Sequence, residues 1–265
     1  MLSPGKWHLK VPRERNANLK FRRNLIRLCK GNKRNQDAIL EACRQDILLW
    51  INTFVWQYNP NSIGGESEEI GPFISWEFQE HAIYEVLDCI EQRKDVVFEK
   101  SREMGASWFC LLVLDWLFLF FDWKKFLVIS RNEHAVDRPG DTDSLFWKLD
   151  FVHEHLPDWM GKTRVERRRL GFQNPLTKSS IYGQASTGKA GVGGRAYAMF
   201  IDEFSMIEED FEVLHRTSDT TGARIFNGTH RGTDTAFFQL TDPKTVVGSF
   251  IRKIQMHWTQ HPGKR

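Results

Sequence analysis

Two separate stretches of this 265-residue chain carry residue types suited to phosphate chemistry. In the first, the apolar Val96, Val97 and Phe98 lead into Glu99, Lys100, Ser101, Arg102, Glu103, Met104, Gly105, Ala106, Ser107 and Trp108. A loop between a buried strand and a helix can hold phosphates with backbone N–H groups and the positive helix N-terminus. The usual spacing is G-x-x-x-x-G-K-[ST]. Gly105 takes the second glycine position, and Ser107 takes the hydroxyl position that holds Mg²⁺. Two positions depart: Lys100 stands where the first glycine is expected, and Ala106 where the lysine is expected. The positive charge is thereby moved to the front of the loop as Lys100, with Arg102 two residues on. From there a cation would reach the β/γ-phosphates from the other side.

The second stretch is Ala198, Met199, Phe200 and Ile201, followed by Asp202, Glu203 and Phe204. A short continuous apolar run is the pattern of a central parallel strand. Such a strand would deliver Asp202 to the Mg²⁺ that bridges the phosphates. Glu203 would orient and deprotonate an attacking water. With the loop upstream, the pair reads as the other half of a nucleotide-hydrolysing site.

The elements that must position these residues are visible around them. Residues 108–121 are apolar apart from Asp115. That run falls short of the roughly 20 residues of a membrane span and reads as a helix buried against a sheet. The Gly-rich stretch Gly183, Gly188, Gly191, Gly193 and Gly194, with Lys189 and Arg195, precedes the acidic strand. Glycine permits close backbone approach, so the stretch reads as a loop near the nucleotide or a subunit interface.

The order of these pieces resembles the large terminase subunit of tailed bacteriophages, the motor that pumps DNA into empty capsids. Residues 100–108 look like that family's deviant phosphate loop, and residues 200–204 like its acidic strand end. Residues 126–131 are similar to its strand after the loop helix. The stretch from Asp137 through Lys148 to Leu156 and Pro157 resembles many members, as does the Gly-rich stretch. Asn227, Gly228 and Thr229 fall where the family's coupling motif lies, at the end of the next strand. Trp76, Glu77, Phe78 and Gln79 resemble its adenine-sensing segment, with Gln79 as the reader. The resemblance covers roughly residues 70 to 262.

The resemblance implies a RecA-like α/β P-loop ATPase with a mainly parallel central sheet flanked by helices. It implies ATP and Mg²⁺ as cofactors and double-stranded DNA, a portal protein and a small terminase subunit as partners. It also implies a ring on the capsid, monomers when isolated, and work in the host cytoplasm. Members usually carry a C-terminal nuclease domain with clustered carboxylates around metal ions. From residue 241 onward the only carboxylate here is Asp242, so no nuclease centre is expected in this chain. Many members have an arginine three residues before the equivalent of Arg195, reaching into a neighbouring subunit's site. Here that position is Val192, and Arg195 is the nearest substitute. A structural role for Arg195, paired with a local carboxylate, is the alternative.

Composition sets the frame. The chain is long enough for one sizeable core plus an appendage. Residues 1–30 are basic but lack the apolar stretch of a secretory signal. Cys29, Cys43, Cys89 and Cys110 show no metal or redox spacing, so reduced thiols are expected. Residues 1–34 hold eleven Lys or Arg and one acid, Glu14; this +10 arm leaves −7 for the rest of a +3 chain. Such an arm suits nucleic-acid phosphates or an acidic protein. Leu25, Ile26 and Leu28, then apolar residues from Ala38 to Leu48, suggest helices beyond it. Residues 59–65 read as a loop. The expected division is a basic, helical N-terminal segment (1–69), an ATPase core (70–250) and the start of a linker (251–265). A second basic run, Lys162, Arg164, Arg167, Arg168 and Arg169, is a candidate DNA grip, since a motor holds the backbone without reading sequence. Arg164 and Glu166 read as one face of a strand or hairpin.

The expected chemistry is phosphoryl transfer to water, with Asn227 and Thr229 sensing the γ-phosphate. Two other functions use the same features: a helicase-like DNA-dependent ATPase, and a non-hydrolysing nucleotide- or DNA-binding scaffold. Ala106 keeps the scaffold open, and Glu203 speaks against it.

Overall fold

The computed structural model describes residues 6–60, 69–161, 164–186, 191 and 194–262. Lys162, Gly188, Lys189, Val192, Gly193, the loop expected at 59–65 from residue 61 on, and residues 263–265 lie outside the described residues.

The basic N-terminal segment folds as three helices, α1 (Arg15–Cys29), α2 (Lys33–Gln45) and α3 (Ile47–Phe54). Glu14 caps α1 through the backbone N–H groups of Asn16 and Ala17, and Asp46 caps α3 through that of Leu49. The largely apolar α3 is buried along its entire length, as a helix without a polar face must be. A short antiparallel pair follows, β1 (Trp56–Tyr58) with β2 (Ile70–Pro72).

The rest of the chain alternates strands and helices. In order they are α4 (Glu77–Gln92), β3 (Val96–Lys100), α5 (Ala106–Phe120), β4 (Lys125–Ser130), α6 (Glu133–Val136) and α7 (Leu145–His155). Then come β5 (Glu166–Arg168), β6 (Gly171–Gln173), β7 (Ser180–Ala185), β8 (Ala198–Ile201), α8 (Asp210–Ser218) and β9 (Arg224–Gly228). The last are α9 (Ala236–Thr241), α10 (Val246–Phe250) and β10 (Arg252–Met256). One eight-stranded sheet has the order β10-β3-β9-β8-β4-β7-β6-β5. From β10 to β7 all neighbours are parallel; β7, β6 and β5 are antiparallel. Every residue of α5 except Ser107 and Trp108 is buried, which explains its lack of a polar stripe. Among the described residues, no helix is long and apolar enough to cross a membrane.

The chain divides into two compact units, Met1–Ser75 with Leu149–Val165, and Trp76–Lys148 with Glu166–Arg265. Residues 149–165, which the sequence left within the core span, thus belong with the N-terminal helices. Three local expectations are corrected. Residues 252–256, read as the start of a linker, form the edge strand β10 alongside β3, with Ile254 and Met256 buried alternately. Gly183, read as part of a loop, lies within β7. A Cβ there would stand 2.5 Å from Val136 and 3.0 Å from the Phe146 ring, so the strand needs glycine for packing. Arg164 precedes the β5–β6 hairpin and belongs to the other unit, so it shares no strand face with Glu166.

All four cysteines are buried, and none is in a disulfide. Burial disfavours the thiolate: it raises the Cys29 thiol, pushes Cys89 up to about 11, and lifts Cys43 and Cys110 well above the ordinary thiol range. At pH 8 the folded chain should therefore react with none of its thiols in a disulfide-exchange titration, and with all four in denaturant. A fast-reacting thiol under native conditions would contradict this packing.

Candidate functional site

The parallel strands end at one edge of the sheet, where open α/β folds bind ligands. β3 ends at Lys100, β8 leads into Asp202 and Glu203, β9 ends in Asn227 and Gly228, and β4 leads into Arg131. Because β9 lies between β3 and β8, it carries Asn227 between the two halves of the site. The Asn227 amide Nδ2 donates to Asp202 Oδ1 at 2.5 Å and to Ser107 Oγ at 3.4 Å. Asp202 and Asn227 are 5% and 1% exposed, so this contact is dry. Asn227 Oδ1 is buried with no hydrogen-bond partner among the described residues. An orphaned buried acceptor carries a desolvation cost, which a bound cation or water would relieve.

The turn between β3 and α5 is shaped for anions. Glu103 and Gly105 both adopt left-handed backbone, with φ of 58° and 75°. No side chain caps the first turn of α5, and that turn contains no acidic residue. Its N–H groups and the positive end of a 15-residue helix can therefore face a phosphate. Gly105 has no room for a side chain, because a Cβ would stand 2.7 Å from Gln79 Nε2. Lys100 occupies the half-buried end of β3, held by pairing with Met256, while Arg102 is exposed in the turn. Burial raises the Cys110 thiol most; the Asp202 charge adds to that and the Lys100 charge opposes it.

Other expected residues are engaged differently. The Ser101 backbone N–H donates to Met256 O at 2.9 Å, and its hydroxyl accepts from the Trp258 N–H at 3.2 Å. That Ser101 N–H is thus bound to β10 and not directed at phosphate. Gln79 is buried; its Oε1 accepts from the Trp76 N–H and its Nε2 donates to Met104 O. It braces the loop against the start of α4. Trp76 stacks on Phe78 at 5.7 Å and meets the His261 ring at 4.2 Å. Gly228 is confined by the Phe237 ring, 2.9 Å from where a Cβ would lie. Thr229 follows β9 directly. Trp108 lies half-buried in the first turn of α5, and Ala106 is buried.

Two residues had no role assigned from sequence. Arg131 Nε lies 3.2 Å from Glu203 Oε2, with both side chains about half exposed. Such a pair contributes about 0–1 kcal/mol, so it orients Glu203 without locking it. Lys148 donates to the carbonyls of Thr142, Asp143 and Ser144. Burial lowers its pKa, and Asp202 is the largest of the carboxylates opposing that shift. Both lie in stretches singled out above, but the sequence gives neither a role; the pairing of β4 with β8 is what brings Arg131 to Glu203. Arg195 is exposed, with no carboxylate partner among the described residues.

The basic run separates. Arg167 is committed to Asp137, with Nη2 2.5 Å from Oδ1, and lies over the Phe172 ring. Arg169 pairs with Glu133 and Arg168 with Glu166, both on an exposed hairpin. Arg164 donates to Trp159 O, and burial lowers its pKa.

No protein-family profile matches the chain, and no curated protein matches it in sequence. Its fold is similar to that of the large terminase of bacteriophage HK97, with a TM-score of 0.57, 12% identity, and coverage of 79% of this chain and 42% of that one. It is also similar to the large terminase of a thermophilic bacteriophage in complex with ADP, with a TM-score of 0.50, 13% identity, and coverage of 68% and 44%. Another crystal form of that thermophilic phage's terminase gives a TM-score of 0.51 at 12% identity, with coverage of 68% and 45%. At such identities the likeness is one of fold, and the chain spans less than half the length of these structures. The expected RecA-like α/β architecture, with its mainly parallel sheet, is borne out.

Proposed function

We propose that this chain is the ATPase motor part of a viral DNA-packaging terminase, hydrolysing ATP to drive double-stranded DNA into a procapsid. The observation that carries this is the convergence of Ser107, Asp202 and Asn227 beside the uncapped start of α5. The Ser107 hydroxyl, the Asp202 carboxylate and the unpartnered Asn227 Oδ1 are hard oxygen donors, which suits Mg²⁺. Ser107 and Asp202 would hold the ion, which when bound neutralises charge on the β- and γ-phosphates.

The chain's own groups do the rest. Backbone N–H groups from Gly105 to Trp108 receive phosphate oxygens. Lys100 neutralises the β/γ oxygens, and Arg102 adds positive charge at the mouth. Glu203 takes a proton from the attacking water, with Arg131 orienting its carboxylate. Asn227 touches both Ser107 and Asp202, so loss of the γ-phosphate would be felt first at β9 and then at Gly228 and Thr229. Glu103, Met104 and Ala106 complete the loop's fixed shape, and Arg195 is the nearest cation for a neighbouring subunit's site. Arg168 and Arg169 are the grip residues on this reading; Arg167 is structural.

As a packaging motor the chain would meet DNA, a portal protein and a small terminase subunit in the host cytoplasm. It would form a ring only on the capsid, with residues 1–69 as the attachment segment and any nuclease centre outside the sequence given. Steady-state phosphate release from ATP, with and without duplex DNA, tests the reading. Mg²⁺-dependent turnover stimulated by duplex, without strand separation, is expected. Strand separation would indicate a helicase-like enzyme. ATP binding without turnover, at high concentration and with portal added, would favour the scaffold.

A further inference from the structure

The helix α1 and the Lys30 that follows it carry six basic residues and no acid, and four of the six divide into two classes. Arg22 is buried; it donates to Asn18 Oδ1 and to the carbonyls of Val55, Asn52 and Phe73. All four acceptors are neutral, two of them lie at the C-terminal end of α3, and burial lowers the guanidinium to about 9. Arg22 is thus a structural cation. Arg23, Arg27 and Lys30 recur at helical spacing on the outer side, are exposed, and have no ion partner among the described residues.

These three border a groove of about 590 Å³ whose apolar lining comes from Leu19, Ile26, Phe54, Trp56, Leu156 and Pro157. No carboxylate lines it among the described residues. Ile26 remains 39% exposed at its edge. An apolar floor beneath an unpaired cationic rim complements a helix with an apolar stripe and acidic flanks. A duplex backbone supplies anions but nothing to cover the apolar floor, so nucleic acid fits this surface less well.

We propose that this groove receives an acidic amphipathic helix from a separate partner protein, with apolar side chains on Leu19, Ile26 and Trp56 and carboxylates against Arg23, Arg27 and Lys30. This does not rest on the nucleotide site, so either reading can fail alone.

The test uses the full chain and labelled synthetic helical peptides of about 18 residues, long enough to hold helix on docking. One carries a leucine stripe flanked by glutamates; its control has lysines in their place. Fluorescence anisotropy should show saturable one-to-one binding of the acidic peptide and affinity for the control lower by about tenfold or more. The double variant Arg23→Glu/Arg27→Glu, and separately Ile26→Asp, should each weaken the acidic peptide by about tenfold, with circular dichroism and thermal midpoint unchanged. Equal affinity for both peptides would overturn the proposal, as would indifference to the charge reversal. Competition by duplex DNA that the same reversal abolishes would reassign the surface to nucleic acid. Self-association of the parent chain, dissolved by that reversal, would reassign it to a second copy.

Discussion

Glu203→Gln is expected to lower ATP turnover by about 10²–10⁴-fold, the usual contribution of a positioned general base. Affinity for Mg²⁺·ATP should stay within about twofold. The reason is geometric. Glu203 follows the end of β8 in a left-handed conformation, with φ of 51°, and its carboxylate reaches Arg131. The Ser107–Asn227–Asp202 contact is made without it. Glutamine keeps the size and can still accept from Arg131 but cannot take a proton. Turnover by phosphate release and affinity by calorimetry separate the two effects. Equal losses in both would show that Glu203 supports the binding site and not the chemical step.

Lys100→Ala should be nearly as damaging, costing about 10²–10³-fold in kcat/KM, the scale of one preorganised donor at developing charge. Arg102→Ala should cost far less. Lys100 belongs to β3 and pairs in register with Met256, so its backbone is fixed, whereas Arg102 is exposed in a turn. Lys100 ends β3 six residues before α5 begins, and its charge and that of Asp202 both act on the Cys110 thiol in that helix. Catalysis by positioning favours the rigid cation. The opposite order of losses would place the phosphate-binding role on Arg102.

Much of this site was legible before the fold was known, because its chemistry is written locally. A buried strand, a turn with glycine and serine, and an apolar run ending in Asp202 and Glu203 each announce themselves by composition. Sheet order is not local. Nothing in the sequence says that β9 inserts between β3 and β8, so Asn227 read as a coupling residue at a strand end and not as the link between Ser107 and Asp202. The role of Arg131 was hidden for the same reason.

Elsewhere, local patterns misled. Gly183 looked like one more glycine of a loop near the nucleotide or an interface, yet it is a strand residue cleared for Val136 and Phe146. Residues 252–256 looked like a polar linker because β10 is an edge strand, which buries only alternate side chains. Ser101 was read as part of the phosphate loop, but its N–H is engaged by that edge strand. In each case the deciding partner is distant in sequence. In the basic run, Arg167 could not be told from Arg168 until Asp137 was brought beside it.

The measurement that tests the central claim most directly is calorimetric binding of ATP to the full chain, with and without Mg²⁺, beside Asp202→Asn. Binding does not depend on a ring, a portal or DNA. One nucleotide per chain, held at least about tenfold more tightly with Mg²⁺ and losing that advantage in Asp202→Asn, is the predicted result. An affinity indifferent to Mg²⁺ and to Asp202, or no binding at all, would contradict the assignment of Ser107 and Asp202 as a metal-assisted nucleotide site.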